Sequence, residues 1–257
     1  MPCIDLNCDL GEGAGHDAEL MPLVTTASIA CGAHAGDTAT LRTALVLARR
    51  HGVAIGAHPG YADREHFGRR EVPLAAVEMF RLIRSQIDAL QTLAAEIGAA
   101  VGHVKLHGAL YNLAARDPAV AAMVLEAVWG GTNRPALFVP AGSVLETAAR
   151  AVGTARVIAE AFADRTYEAD GRLTPRSRPD AVITDEEQMV EQVLRLVGEG
   201  VVRTTDGTDV FVSAQTICLH GDGPRAVAFA HRLRRELTAA GIEVRAYSAP
   251  AEPEQEG

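Results

Sequence analysis

The sequence predicts an α/β fold, a TIM-like (β/α) barrel, and three observations support this class. Short apolar runs recur along the chain and alternate with longer segments of helical periodicity. Glycines and ionisable residues follow these runs directly, which is typical of the carboxyl ends of barrel strands. The length of 257 residues suits one barrel domain. We therefore expect seven or eight mostly parallel strands in a closed sheet.

Eight apolar runs are predicted as buried strands because they are short and bounded by polar or turn-forming residues. They are PCIDLNC, ASIAC, VAIGA, VGHVKL, PALFVP, ARVIAE, QTICL and IEVRAY. Helices are predicted between them at 38–50, 73–97, 118–128, 143–151, 185–199 and 224–240. Asp37 and Asp117 are placed to cap two of these helices, and Pro73, Pro118 and Pro224 suit a first helical turn. This alternation predicts right-handed βαβ units.

Three segments depart from the alternation. Residues 161–184 are rich in Arg, Asp, Pro and Gly, and we expect a long loop there that covers the active-site face as a lid. The segment VVRTTDGTDVFV predicts a hairpin with its turn near Asp206 and Gly207. Residues 249–257, APAEPEQEG, are expected to form a disordered acidic tail after a single domain at 1–248.

The composition argues against nucleic-acid and membrane partners. The formal net charge is −9 at pH 7, the opposite of a phosphate-binding surface. No apolar run approaches the roughly 18 residues needed to span a bilayer, and the first residues lack the regions of a signal peptide. We expect a cytoplasmic protein that binds small molecules or other proteins. Its four cysteines have no CxxC spacing, so they are interpreted as reduced, apolar core residues rather than nucleophiles.

Polar side chains at the predicted strand ends form the candidate site, because these ends converge on one face of a barrel. In chain order the candidates are Asn7, Asp9, Glu12, His34, His58, Lys105, His107, Tyr111, Asn112, Glu160, His220 and Asp222, joined by Tyr167 of the long loop. Asp37 also follows a strand, but a helix cap explains it better than catalysis does. The remaining histidines of strands and helices, His51, His103 and His231, are assigned to structure.

The carboxylates and imidazoles are of the types that perform acid–base chemistry. Asp9 and Glu12 lie in a glycine-rich turn that brings two carboxylates against the predicted pocket, although capping of that turn is the alternative. His34 and His58 each stand in a Gly-Ala-His sequence, where small neighbours leave the ring accessible. Satisfied core histidines are the alternative for both.

Lys105 is the only lysine in the chain, among 24 lysine and arginine residues. It lies at a strand end, two residues from His107, so alternation points both side chains to one side. An amine can change its pKa on burial and act as an acid, a base or an anion ligand, which a guanidinium cannot do. We therefore interpret Lys105 as functional rather than as a residual surface lysine.

Familiar catalytic motifs are missing from the sequence. It contains no GxxxxGK[ST] phosphate loop, no GxSxG nucleophile elbow and no HExxH helix. Asp9, His34 and His58 could supply ligands to a divalent metal. Lys105 beside the same pocket would compete with a cation, so a metal is left open and no metal ligand is assigned.

Seven sequence blocks carry a family resemblance from near the first residue to near the last. They are IDLNCDLGEG, SIACGAHAGD, VAIGAHPGY, FGRRE, VKLHGALYN, EAFADRTYEADGRLTPRS and TICLHGDGPRAV. Through them the chain resembles the LamB/YcsF family of 5-oxoprolinase A subunits. The resemblance implies a barrel related to carbohydrate deacetylases and an ATP-dependent opening of 5-oxo-L-proline to L-glutamate, shared with subunits B and C. Ala33 and Gly60 stand where the family pattern has bulkier or hydroxylated residues.

The implied chemistry suggests roles for the candidates, because a stable lactam needs an activated water and a stabilised oxyanion. Asp9 or Glu12 is the candidate base, and Lys105 with His107 would hold the developing negative charge. The remaining imidazoles, those of His34, His58 and His220, would transfer protons or orient the substrate. ATP is expected as a co-substrate used together with the partner subunits, since the chain has no phosphate loop of its own.

Two other functions fit the same residues. One is a metal-dependent deacetylase that acts alone, with Asp9, His34 and His58 as ligands. The other is a subunit that binds the lactam and presents it to its partners without catalysis.

Overall fold

A computed structural model describes residues 2–131, 134–154, 156–223 and 225–247. Seven parallel strands close into a barrel, because the first strand pairs with both the second and the last of the ring. In barrel order they are β1 (Cys3–Leu10), β2 (Thr26–Ala30), β3 (Ala54–His58), β4 (His103–Lys105), β5 (Ala136–Pro140), β6 (Val157–Phe162) and β9 (Thr216–His220). A short strand, β10 (Glu243–Val244), pairs in parallel with the start of β1. The predicted barrel is confirmed.

The strand register aligns the carboxyl ends that carry the candidate residues. Asp9 of β1 pairs with Ser28 of β2 on one side and with His220 of β9 on the other. On the opposite wall Pro140 of β5 pairs with Glu160 of β6. Because all seven strands run in the same direction, the loops that follow them meet at one end of the barrel.

Helices surround the barrel. They are α1 (Asp17–Leu20), α2 (Thr38–His51), α3 (Ala76–Glu96), α4 (Gly108–Ala114), α5 (Pro118–Trp129), α6 (Val144–Ala151), α7 (Glu186–Glu199) and α8 (Ala226–Ala239), with 3-10 turns at Met21–Leu23 and Arg64–His66. The predicted caps are confirmed, since the carboxylates of Asp37 and Asp117 accept backbone N–H groups of α2 and α5. The prediction for Pro73 was wrong: α3 begins at Ala76, where Glu78 accepts the N–H of Ala75 at 2.8 Å. Pro224 lies outside the described residues.

The inner face of the barrel is polar, and the outer face of its strands, on which the helices pack, is apolar. Alternate residues of β1 point outward to the helices, and Leu6, Cys8 and Leu10 are buried there. The inward residues Asp5 and Asn7 are also buried, and they bond to side chains of other strands. An interior built of hydrogen-bonded polar groups fixes side-chain positions more narrowly than an apolar interior would.

The long loop after β6 is ordered and begins at Ala163, because the strand extends to Phe162. Isolated bridges join Arg165 to Val182 and Tyr167 to Leu173. The predicted hairpin is confirmed as β7 (Val201–Arg203) paired antiparallel with β8 (Asp209–Phe211). The predicted tail at 249–257 lies outside the described residues. Within the described ranges, no helix is both long and apolar enough to cross a membrane.

Candidate active site

A cavity opens at the carboxyl ends of the strands. Its lining comprises Asp9, Glu12, His58, Arg69, Lys105, Leu106, His107, Gly108, Tyr111, Asn112, Phe162, Arg165, Leu173, Arg176 and His220. The residues at its base come from β1, β3, β4 and β9, and the loops after β3 and β6 supply the residues at its mouth. The position agrees with the general rule for active sites of (β/α) barrels.

Lys105 lies at the base of this cavity with almost no exposed surface. Its Nζ is 2.8 Å from Asp9 Oδ1, 2.8 Å from Glu160 Oε1 and 3.0 Å from the side-chain oxygen of Asn7, to which it donates. It also donates to Cys218 Sγ at 3.0 Å. Burial lowers the pKa of Lys105, but the Asp9 carboxylate and the other partners raise it well above its usual value. The amine is therefore a fixed positive charge at neutral pH.

The carboxylates around Lys105 are also held from their other sides. Burial raises the pKa of Asp9, but the charges of His58 and Lys105 lower it well below its usual range. Glu160 accepts from Asn7 Nδ2 at 2.9 Å and from the Tyr111 hydroxyl at 2.5 Å. Burial, with the Glu160 charge, raises the pKa of Tyr111 well above its usual value, so the phenol stays protonated. Asp9 and Glu160 are thus oriented carboxylates.

Glu12, His34, His58 and His107 form a second cluster beside Asp9, and one ligand-type atom of each lies within 4.8 Å of the others. Their burial separates them from bulk water, since the side chain of His34 is fully buried and that of Glu12 is 8% exposed. Burial lowers the pKa of His34 and of His107. For His58 the burial effect is outweighed by the charge of Asp9, which raises its pKa.

Gly60 and Gly68 allow the two rings of His34 and His107 to stack, with centroids 3.8 Å apart. A Cβ at Gly60 would lie 3.0 Å from His34 Nδ1 and from His107 Cβ, and one at Gly68 would lie 2.9 Å from His34 Cβ. Gly68 also has φ +62°, which favours glycine. The loop after β3 therefore approaches the histidines closely and seals this side of the cluster.

Three arginines lie at the mouth of the cavity. Arg69 donates to Asp222 at 2.8 Å, and Arg176 donates to His220 Nε2 at 2.8 Å. Burial lowers the pKa of Arg165 to about 10, and the charge of Arg176 acts in the same direction. Burial and the charge of Arg69 likewise lower the pKa of Arg176. Guanidinium groups brought together in this way form a site for an anion.

His220 is fixed between two charged groups of the long loop. Its Nδ1 lies 2.8 Å from the Asp164 carboxylate, so this nitrogen carries a proton and Nε2 faces Arg176 as an acceptor. Burial raises the pKa of Asp164, but the charge of His220 lowers it below its usual value. The Asp164 carboxylate therefore fixes the orientation and the tautomer of the His220 ring.

The structure brings most of the predicted site residues together. Eight of them line the cavity: Asp9, Glu12, His58, Lys105, His107, Tyr111, Asn112 and His220. Three others contact these side chains from outside the cavity lining: Asn7, His34 and Glu160. Asp222 binds Arg69, one of the arginines that line the cavity. Tyr167 differs, because its ring is buried and its hydroxyl accepts from Phe162 N at 2.8 Å. The loop covers the cavity with Arg165, Leu173 and Arg176 instead.

Sequence reasoning missed the arginines and Asp164. Arg69 and Arg176 lie inside two of the blocks that carry the family resemblance, FGRRE and EAFADRTYEADGRLTPRS, where the only residues singled out were Glu160 and Tyr167. The missed signal was the presence of arginine in two loops that both follow strand ends.

Comparison with known proteins assigns the family. The LamB/YcsF family model matches residues 4–252. The chain belongs to the LamB/YcsF family. Its relatives in this family include the A subunit of 5-oxoprolinase from Bordetella pertussis, 49% identical over 95% of this chain and 99% of the relative. The protein of the same name from Neisseria meningitidis is 48% identical over 96% of this chain and all of the relative.

Solved structures agree with the fold of this LamB/YcsF member. A lactam utilization protein from Thermus thermophilus superposes with a TM-score of 0.88 at 44% identity, covering 95% of this chain and 100% of the other. The Bacillus cereus polysaccharide deacetylase Bc1974 superposes with a TM-score of 0.50 at 14% identity, over 98% and 95% of the two chains. The second likeness extends to the fold alone, which is the barrel class predicted from the sequence.

Proposed function

We propose that this chain is the A component of a 5-oxoprolinase and carries out the hydrolytic opening of 5-oxo-L-proline to L-glutamate in an ATP-dependent complex with subunits B and C. The names of its relatives support the lactam substrate class. The observation that carries the proposal is the polarity of the cavity, with carboxylates and imidazoles at its base and three guanidinium groups at its mouth. A lactam that bears a carboxylate needs both.

The arginines are assigned to the carboxylate of the substrate. Among the described residues, Arg176 and Arg69 each donate one side-chain hydrogen bond, and a planar guanidinium has further N–H groups that can bind a carboxylate. A bidentate contact there would fix the orientation of the five-membered ring and direct its amide toward the base of the cavity. Orientation of this kind supplies a large part of the rate enhancement in hydrolytic enzymes.

Asp9 is assigned to the attacking water. Its lowered pKa keeps it a carboxylate at neutral pH, and Lys105 on one side and His58 on the other fix its position. A fixed carboxylate can orient a water molecule and accept its proton as the oxygen bonds to the amide carbon. Lys105 is then a positioning residue, because its contacts are with Asp9, Glu160, Asn7 and Cys218.

His220 is assigned to the leaving nitrogen. Ring opening breaks the bond between the carbonyl carbon and the ring nitrogen, and this nitrogen must take up a proton as it leaves. Arg176 bonds to His220 Nε2 in the structure, so a substrate carboxylate that binds Arg176 would release this nitrogen. Asp164 would then stabilise the protonated ring that donates to the leaving group.

ATP is assigned to the complex rather than to this chain alone, because the sequence lacks a phosphate loop. The test is coupled turnover of ATP and 5-oxoproline by this chain, by subunits B and C, and by the three combined. We expect glutamate release from the combination only. Full turnover by B and C without this chain would contradict the proposal, and so would wild-type turnover by the complex with His220→Ala.

The deacetylase alternative is tested in the same preparation. ATP-independent release of acetate from N-acetylated sugars by this chain, without opening of 5-oxoproline in the complex, would replace the proposed function. A complex in which Asp9→Asn and His220→Ala retain full turnover would instead favour a subunit that binds the lactam without catalysis.

A further inference from the structure

We propose that Glu12, His58 and His107 form a binding site for one divalent transition-metal ion, with zinc as the best fit, and that His34 holds the Glu12 carboxylate in place. The proposal concerns the cluster beside Asp9 and does not depend on which substrate the cavity takes. It rests on the directions in which the facing nitrogens of His58 and His107 point and on the distances of these nitrogens from Glu12.

Two backbone carbonyls fix the tautomers of His58 and His107. His58 Nδ1 lies 2.8 Å from the carbonyl oxygen of Lys105, and His107 Nε2 lies 2.8 Å from that of Phe67. A carbonyl oxygen only accepts, so both of these nitrogens carry their protons. In the neutral rings the other nitrogens, His58 Nε2 and His107 Nδ1, are therefore both lone-pair acceptors.

These two acceptors face each other at 2.9 Å in the buried interior. Two lone pairs at this distance repel, and burial makes an unsatisfied pair of polar atoms costly. A cation between them removes the conflict, because each nitrogen then donates its lone pair to the same ion. The arrangement also matches metal-binding histidines in general, whose distal N–H usually bonds to a carbonyl or a carboxylate.

Glu12 supplies the third ligand at the same point. His34 bonds to Glu12 rather than to the ion, because its ring is parallel to that of His107, with an interplanar angle of 2°, and the in-plane lone pairs of parallel rings do not converge. Glu12 Oε1 lies 3.1 Å from His34 Nε2, 3.3 Å from His107 Nδ1 and 3.8 Å from His58 Nε2. Ligand atoms of a tetrahedral zinc ion bound at about 2.0–2.1 Å lie roughly 3.3–3.4 Å apart, so the distance of 3.3 Å between Glu12 Oε1 and His107 Nδ1 suits a shared ion. Asp9 Oδ2 also lies 3.3 Å from His58 Nε2, but Asp9 is left out of the set because Lys105 holds its other oxygen at 2.8 Å.

The ligand types select the metal. Two imidazoles and one carboxylate favour zinc or another late divalent ion over magnesium or calcium, which prefer oxygen ligands. Glu12, His58 and His107 also line the cavity, so an ion held by them would be reached from it. Three protein ligands would leave one position of a tetrahedral zinc ion open, where the ion would lower the pKa of a bound water molecule or polarise a carbonyl oxygen.

The competing interpretation is a proton on His58 Nε2, favoured by the Asp9 carboxylate at 3.3 Å and accepted by His107 Nδ1, with no metal. Metal binding distinguishes the two. The chain is treated with a chelator, dialysed, and titrated with Zn²⁺ against a coloured chelator, with Co²⁺ as the spectroscopic probe. We expect one ion per chain, visible absorption of Co²⁺ typical of four nitrogen and oxygen ligands, and a higher Tm on metal addition.

Two variants and two controls locate the ion. Glu12→Gln is nearly isosteric and His107→Ala removes a ring, and each should weaken Zn²⁺ binding at least about 100-fold, beyond the range seen for loss of an outer partner. His231→Ala removes an exposed histidine of α8, and Cys218→Ala removes the sulfur of the alternative group Asp9, Cys218 and His220. Both controls should bind Zn²⁺ as the wild type does.

Three results would overturn the proposal. The first is the absence of stoichiometric metal in the wild-type chain in the titration with Zn²⁺. The second is unchanged affinity in both Glu12→Gln and folded His107→Ala, with folding checked by circular dichroism. The third is a sulfur-to-Co²⁺ charge-transfer band that disappears in Cys218→Ala, which would place the ion at the other group.

Discussion

Lys105 Nζ lies 2.8 Å from Glu160 Oε1 at the centre of the barrel, where the lysine side chain is 2% exposed and the glutamate side chain is fully buried. Asp9 approaches the same amine at an equal distance from the other side. One ammonium therefore holds two carboxylates, and removing it leaves two buried negative charges. The loss of one partner from a buried ion pair costs more than the pair contributes, because the remaining charge cannot be solvated.

Replacement of Lys105 should therefore destabilise the fold as well as impair turnover. We expect Lys105→Met to lower the free energy of unfolding by about 3–5 kcal/mol, measured by urea denaturation. Adding Glu160→Gln should restore part of this loss, because one of the two uncompensated carboxylates is then neutral. Restored stability without restored turnover would agree with the positioning role of Lys105. Equal stability of wild type and Lys105→Met would contradict the ion-pair geometry.

Lys105→Arg separates charge from shape. The guanidinium keeps the positive charge, but its wide planar fork replaces a compact amine that is enclosed by four partners. We expect turnover of the complex to fall by roughly 100-fold, the range seen when a group that orients catalytic machinery is displaced. Glutamate formation with saturating subunits B and C measures the effect. Turnover within about twofold of wild type would remove Lys105 from the mechanism.

The arginines at the cavity mouth should control affinity for the carboxylate of the substrate. Arg176→Met keeps the apolar stem of the side chain but removes the charged fork. A hydrogen bond to a charged group contributes about 1.5–3 kcal/mol, so KM for 5-oxoproline should rise by roughly 10- to 100-fold. Arg81→Met on the exposed face of α3 is the matched control.

The readout that identifies the contact is a comparison with 2-pyrrolidinone, the lactam without the carboxylate. Loss of Arg176 should lower the turnover of 5-oxoproline far more than the turnover of 2-pyrrolidinone. Equal loss for both compounds would show that Arg176 acts on the fold or on His220 rather than on the carboxylate.

The strand ends were the predictable part of the site because strand direction alone determines them. Asp9, His58 and Lys105 each lie at the end of a short apolar run, and parallel strands deliver such residues to one face whatever the loops do. The caps Asp37 and Asp117 were predictable for a different reason, because helix capping depends only on local spacing. These features need no knowledge of long-range packing.

The loops were less predictable because their contacts depend on the finished barrel. Tyr167 was expected over the cavity, but its ring fills a buried position behind Phe162, whose N–H donates to the tyrosine hydroxyl. Arg176, further along the same loop, occupies the mouth of the cavity. Helix α4 was also missed, since a helix of seven residues directly after a strand leaves too short a periodic pattern to recognise.

His103 should make the fold sensitive to acid. Burial, together with the charge of Lys105, lowers the pKa of His103 to about 3. In the unfolded chain the pKa of this ring is about 6.5. Between these values the unfolded state binds more protons, so stability falls as the pH drops from about 6.5 toward 3. His103→Phe should flatten this part of the stability curve, measured by urea denaturation at several pH values. An equally steep curve in the variant would assign the acid sensitivity to other groups.

The close approach of Gly56 to His103 gives the last prediction. The two residues pair across β3 and β4, and a Cβ on Gly56 would lie 2.0 Å from His103 Nε2. The ring cannot move aside freely, because it stacks on Phe138 with centroids 4.4 Å apart and lies 3.3 Å from the Ser28 hydroxyl. We expect Gly56→Ala to destabilise the fold by about 1–3 kcal/mol, the usual cost of overpacking a core.

A double-mutant cycle assigns this cost to the ring of His103. His103→Ala alone should destabilise through the cavity it leaves, but in that background Gly56→Ala should cost little, because the methyl group then has space. Gly198→Ala is the control: this glycine lies in α7 with no atom within 4 Å of its added Cβ, so the substitution should stabilise the helix by about 0.5–1 kcal/mol. If Gly56→Ala costs the same in both backgrounds, the strain arises from the strand backbone and not from His103.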